Sequence, residues 1–202
     1  MLDRRVAALV LVLLAACRHG PAGHPSPATL RDELLRMEAE DQAVAGRLPT
    51  TEEEMRATQA EAESLSVRHV RRIEQMVQRH GWPTRSLVGE EAADAAWVLV
   101  QHADHDPAFQ RRMLAVMEPH VASGEVKAKH YAYLWDRTHD PQRYGTQGEC
   151  VARGVWKPRP IEAPSQVDAR RASVGMWPAA LAVYVQMMSA HCENRRDLPP
   201  PE

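Results

Sequence analysis

Phenylalanine occurs once in this chain, at Phe109, and lysine three times, at Lys127, Lys129 and Lys157. Aromatic residues make up 5% of the chain, so Leu, Val, Ala and Met, with five Trp, must fill any core. No basic stripe occurs and the formal charge is −2, which argues against a nucleic-acid partner. No apolar run reaches the roughly 20 residues that a bilayer-spanning helix needs. A glycine-rich phosphate loop, a Gly-x-Ser-x-Gly turn and a His-Glu-x-x-His pair are all missing, and no cofactor is expected. His102 and Asp106 are spaced to share a metal, with His130 or His139 as a further ligand. No close cysteine pair supports that idea, and the reading is no metal.

What is present begins at the N-terminus. Arg4 and Arg5 precede the apolar run Val6 to Leu13, and Leu14-Ala15-Ala16-Cys17 closes it. This has the proportions of a secretory signal with small residues before a cut site. The ending resembles the lipobox of bacterial lipoproteins, in which the cysteine becomes the lipidated N-terminus. The expectation is a signal peptide over 1–16 and a lipidated Cys17 on a Pro- and Gly-rich tether to residue 27. A single domain over 28–194 and a tail over 195–202 follow. Arg18 follows the cysteine where an acidic residue would resemble an inner-membrane retention signal. The expected address is therefore the cell envelope, lipid-anchored in the outer membrane and facing the periplasm. Once Cys17 is assigned to lipid, Cys150 and Cys192 are an even pair in a compartment where disulfides persist. They are either a disulfide or two free thiols.

Apolar spacing is helical almost throughout. Leu30, Leu34, Leu35 and Met37 recur at three- and four-residue steps between Thr29 and Arg47. Pro49-Thr50-Thr51 before three glutamates predicts a helix start, and that helix runs to His80. Its front half, Glu52 to Glu63, is polar enough to be a solvated face, while Leu65, His69, Ile73 and Met76 share an inner one. Residues 89–102 form the most hydrophobic helix, apolar nearly all round and therefore central. Asp106-Pro107 opens another, to about Ala122. Further helices are predicted over 126–138, 166–174 and 178–191, the last turning Leu181, Val185 and Met188 inward. The fold class is mainly α: a compact single-domain helical bundle, with a short β-hairpin or irregular loop region near 141–164.

Three segments carry polar side chains where a plain core helix would not: Gln101 to Asp106, Asp136-Arg137, and Gln142 to Gln147. These motifs include Gly81-Trp82-Pro83, Val88-Gly89, Gln101-His102-Ala103-Asp104 with Asp106 and Gln110, Asp136-Arg137, and Gln142 with Tyr144-Gly145-Thr146-Gln147. Together they resemble an uncharacterised bacterial family, domain of unknown function 6624. Asp41-Gln42 resembles that family's N-terminal pair. An arginine is expected close behind the pair, and this chain has Ala45 there, with Arg47 beyond. The resemblance implies a shared fold and a shared polar centre, without an activity.

Each polar residue has a plain reading beside the functional one. Asp106 caps a helix. His102, on the stripe of Ala95 and Leu99, points to the core side and is either a satisfied core histidine or a general acid/base. Asp136-Arg137 is a structural ion pair or part of a site, and Gln101 and Gln147 satisfy backbone or bind. The functional expectation has His102, Asp104 and Asp136 as catalytic residues, with Asp104 or Asp136 orienting the imidazole. Gln101, Arg137, Gln142, Tyr144 and Gln147 then bind a small polar ligand or cell-wall fragment, Arg137 holding an anionic group. A hydrolase or lyase of the envelope fits this arrangement. The alternatives are a non-catalytic lipoprotein binding a ligand or protein, and a structural polar network.

Overall fold

The computed structural model describes residues 26–195 and 197–201; the segment expected to be a signal peptide, and Cys17, lie outside them. The described residues hold α1 (Pro27–Ala45), α2 (Glu52–His80), α3 (Arg85–Val88), α4 (Glu90–Gln101), α5 (Pro107–Met117) and α6 (Ala128–Thr138). The strands β1 (Gly148–Ala152) and β2 (Val155–Pro158) follow, then α7 (Val167–Ser173) and α8 (Leu181–His191). The fold is therefore mainly helical, with one small antiparallel hairpin in the region expected to hold it. Among the described residues no helix is long and apolar enough to cross a membrane.

Helix starts follow local chemistry. Ser26 accepts from the Thr29 amide ahead of α1, with Pro27 in the first turn. Thr51 and Glu54 form a reciprocal capping box at α2, each side chain binding the other's backbone N–H. Asp106 accepts the Phe109 amide at 2.8 Å, so its capping role is realised. Two ends differ most from the spacing-based expectation. The helix after Asp106 stops at Met117 and tightens into a 3-10 turn over Glu118–His120. The last helix starts at Leu181, because the Pro178 and Ala179 carbonyls accept from buried Arg171 and their residues stay outside it.

α4 lies centrally, against α1, α2, α3 and α5. Ala92, Ala95 and Ala96 are fully buried on it, and their small side chains let α1 approach closely. Leu30 and Leu34 from α1, Ile73 and Met76 from α2, and Phe109 and Met117 from α5 complete this core. A separate small cluster forms where Trp156 of β2 and Tyr184 of α8 meet at Cys192. Leu181, Val185 and Met188 are only partly buried against it, and Tyr184 takes the innermost place on α8. Cys150 and Cys192 are disulfide-bonded with Cα atoms 5.6 Å apart, which ties α8 to the hairpin. Leu134 belongs to the first cluster and Tyr184 to the second.

Candidate functional site

The last turn of α4 supplies the first group. The helix ends at Gln101, and His102 is its C-cap, its N–H still bonded to the Val98 carbonyl at 3.0 Å. The chain then turns, and Ala103 rather than His102 takes the buried position. The expected core histidine is thus turned outward, because the helical stripe of Ala95 and Leu99 ends one residue before it. Its side chain is 41% exposed, and Nδ1 lies 2.7 Å from Asp41 Oδ2. Asp41, in the last turns of α1, is 12% exposed and also accepts from the Gln42 amide at 3.0 Å. The hydrogen bond to Asp41 raises the His102 pKa above that of a free imidazole, against the opposing effects of burial and of Arg137. Among the described residues Nε2 of His102 has no hydrogen-bond partner.

Asp104 lies on the next turn and takes a two-pronged bond from Arg137 at the end of α6, at 2.7 and 2.8 Å. Arg137 also donates to Gln147 Oε1 at 3.2 Å. Gln110 of α5 fixes the end of α4 from behind, donating to the Val100 and Gln101 carbonyls at 3.1 Å each. Gln101 is buried on the same turn. The carboxylate orienting His102 is therefore Asp41, which the sequence pattern had placed outside the catalytic set.

Asp136 does different work. It is fully buried and accepts the backbone N–H groups of Arg143, Tyr144 and Thr146, with the Thr146 hydroxyl as a fourth donor. Its lone pairs are committed to folding the 142–147 loop, and its hydrogen bonds go to that loop and not to His102. Gln142 is likewise used up, its amide bridging Gln147 and the Arg159 carbonyl. Tyr144 shapes the loop by offering its carbonyl to Arg171 at 2.7 Å. Gly145 lets the loop close: its φ of 68° is left-handed, and an added Cβ would meet Leu181 at 2.7 Å. Of the loop residues expected to bind, Gln147 lines a cleft.

His102 stands between two hollows. One, of about 380 Å³, is lined by Gln101, Tyr133, Arg137, Gln147, Trp156 and Tyr184 among others. The other, of about 470 Å³, lies on the Asp41 side, with Ala45, Gln59, Ser66, Asp104 and His105. Ser66, not suspected from sequence, donates to the His102 carbonyl at 3.2 Å. Ala45 lines this hollow at the position where an arginine was expected, and Arg47 is instead paired with Glu61. The histidines considered as extra metal ligands are elsewhere, His130 stacked on Trp97 and His139 on Trp135. Among the described residues no three His, Cys, Asp or Glu side chains converge.

Residues 28–192 match a family of unknown function, DUF6624. The chain belongs to that family. No match was found to a curated protein or to a solved structure. The match spans both helical clusters and the whole polar centre, so the family's fold includes α1 with Asp41 as well as the loop that Asp136 folds. The one signal for Asp41 in the sequence was its place in the Asp41-Gln42 pair. Its contact with His102 crosses 61 residues, beyond the reach of any local pattern.

Proposed function

We propose that this DUF6624 protein is an envelope lipoprotein whose His102 cleft binds a small polar ligand and acts on it by proton transfer, as a hydrolase or lyase. The supporting observation is the 2.7 Å contact between His102 Nδ1 and Asp41 at the junction of two hollows. A carboxylate on Nδ1 orients an imidazole and leaves Nε2 to exchange a proton with bound substrate. The hydrogen bond to Asp41 raises the His102 pKa and so favours the imidazolium, the form that donates a proton. Asp104 holds Arg137 beside it, and Gln147, held by Arg137 and Thr146, lines the cleft with its second amide N–H left for a ligand hydroxyl or carbonyl.

The test uses the full-length protein and soluble cell-wall fragments, followed by mass spectrometry. The expected result is conversion of at least one fragment, abolished by His102→Gln and reduced at least tenfold by Asp41→Asn. Retention of a fragment without conversion would replace the catalytic reading with a binding one. Equal conversion by wild type and His102→Gln would remove His102 from the chemistry.

A further inference from the structure

The seam between α4 and α6 continues past the His102 cleft. A third hollow, of about 450 Å³, opens there beside Lys129, His130, Met176 and Trp177. Trp97 and Tyr133 line both this hollow and the His102 cleft, so the two meet along the seam. From Lys129 to Arg137 the seam covers about 12 Å of helix, at about 1.5 Å per residue. That is room for more than one ring of a chain-like ligand.

Trp177 stands out at the far end, with 80% of its surface exposed. Its neighbours are fixed: Met176 is buried and its N–H bonds the Arg171 carbonyl at 3.0 Å. Pro178 is buried too, its carbonyl held by fully buried Arg171 at 2.8 Å. A large indole is thus kept in water by a loop that is anchored on either side of it. A rigid ring presented in this way offers contact area at little entropic cost.

We propose that this hollow is a carbohydrate subsite and that the protein takes an extended glycan chain, one sugar lying against Trp177 and Trp97 and another reaching His102. A pyranose has apolar C–H faces and a rim of hydroxyls. The seam supplies matching surfaces: the rings of Trp97, Tyr133 and Trp177 along the third hollow, and the side-chain amide of Gln147 in the His102 cleft. The charges do not suit a nucleic-acid strand, which needs a series of unpaired cations. Arg137 is neutralised by Asp104, which leaves Lys129 as the basic group of the third hollow. The inference rests on the His102 cleft being the binding site, and it names the class of ligand.

The probes are N-acetylglucosamine and its β-linked di-, tri- and tetramers, titrated calorimetrically into the full-length chain with Trp fluorescence recorded in parallel. Affinity should rise at least tenfold from monomer to trimer. Trp177→Ala should remove that gain, while Trp177→Phe keeps most of it. Because Trp177 is exposed, circular dichroism should show the same fold in all three proteins. Equal affinity at every length, no binding of any oligomer, or an unaltered gain in Trp177→Ala overturns the proposal. Trp177-dependent binding of an oligothymidine in place of the sugars overturns it as well. If the gain is missing while His102→Gln still abolishes fragment conversion, the carbohydrate subsite fails and the His102 reading stands. A normal length gain with His102→Gln fully active gives the reverse.

Discussion

Asp41 and Arg137 act on His102 in opposite directions, the carboxylate favouring the imidazolium and the guanidinium opposing it. Asp41→Asn should therefore lower the His102 midpoint, read from its ring protons by NMR, while Arg137→Ala should raise it. The folded pKa lies above the unfolded value of ~6.5. The pair therefore stabilises the fold fully below that value, and the contribution is lost as pH rises through the raised pKa. Partial exposure of His102 keeps the amount small. A stability–pH profile of Asp41→Asn should accordingly converge with wild type on the alkaline side. At Asp136 the stakes are larger. Asp136→Ala leaves three backbone N–H groups and a hydroxyl of the 142–147 loop without their acceptor. At about 1–3 kcal/mol for each buried group left unpaired, the loss should exceed about 3 kcal/mol in chemical denaturation. Asp104→Ala, by contrast, breaks a pair whose carboxylate is 65% exposed and should cost under about 1 kcal/mol.

Among the elements, α4 joins core and chemistry: its alanine face packs against α1, and its C-terminal turn delivers Gln101, His102 and Asp104. The hairpin and α8 form the far wall of the His102 cleft through Trp156, Tyr184 and Met188. The Cys150–Cys192 bond spans 42 residues, and closing a loop of that size is worth about 4 kcal/mol on the chain-entropy account. Reduction should lower the unfolding midpoint accordingly. It should also weaken binding at the proposed site, because the wall it holds lines the His102 cleft. Comparing denaturation and calorimetry on oxidised and reduced protein checks both statements.

For the whole molecule, the proposed binding surface is a cleft lined both by Trp97 and Tyr133 and by Trp156 and Tyr184 of the smaller cluster under the hairpin. The proposed anchor would hold this groove near the envelope's glycan. Mass spectrometry of membrane-extracted protein should find a diacylglyceryl group on Cys17, and Cys17→Ala should leave a precursor or a soluble form. An unmodified Met1 in the membrane fraction would refute the anchor.

Much of the architecture was legible in the residues themselves, because helix starts and buried faces depend on neighbours within about one turn. The Thr51–Glu54 box, the Asp106 cap and the apolar run of α4 all read directly. The two cysteines left once Cys17 is set aside could be a disulfide or two free thiols, and the fold decided for the disulfide. The site depended on contacts between distant segments. Nothing local shows that α4 ends one residue early and turns His102 toward α1, or that Asp41 waits there. Composition also cannot tell a catalytic aspartate from one spent on folding a loop. Asp104 and Asp136 look alike as residues, yet one is exposed beside Arg137 and the other is enclosed by four donors. Only the packing of α6 against the loop it staples decided between them, since the role of a carboxylate is set by which donors reach it.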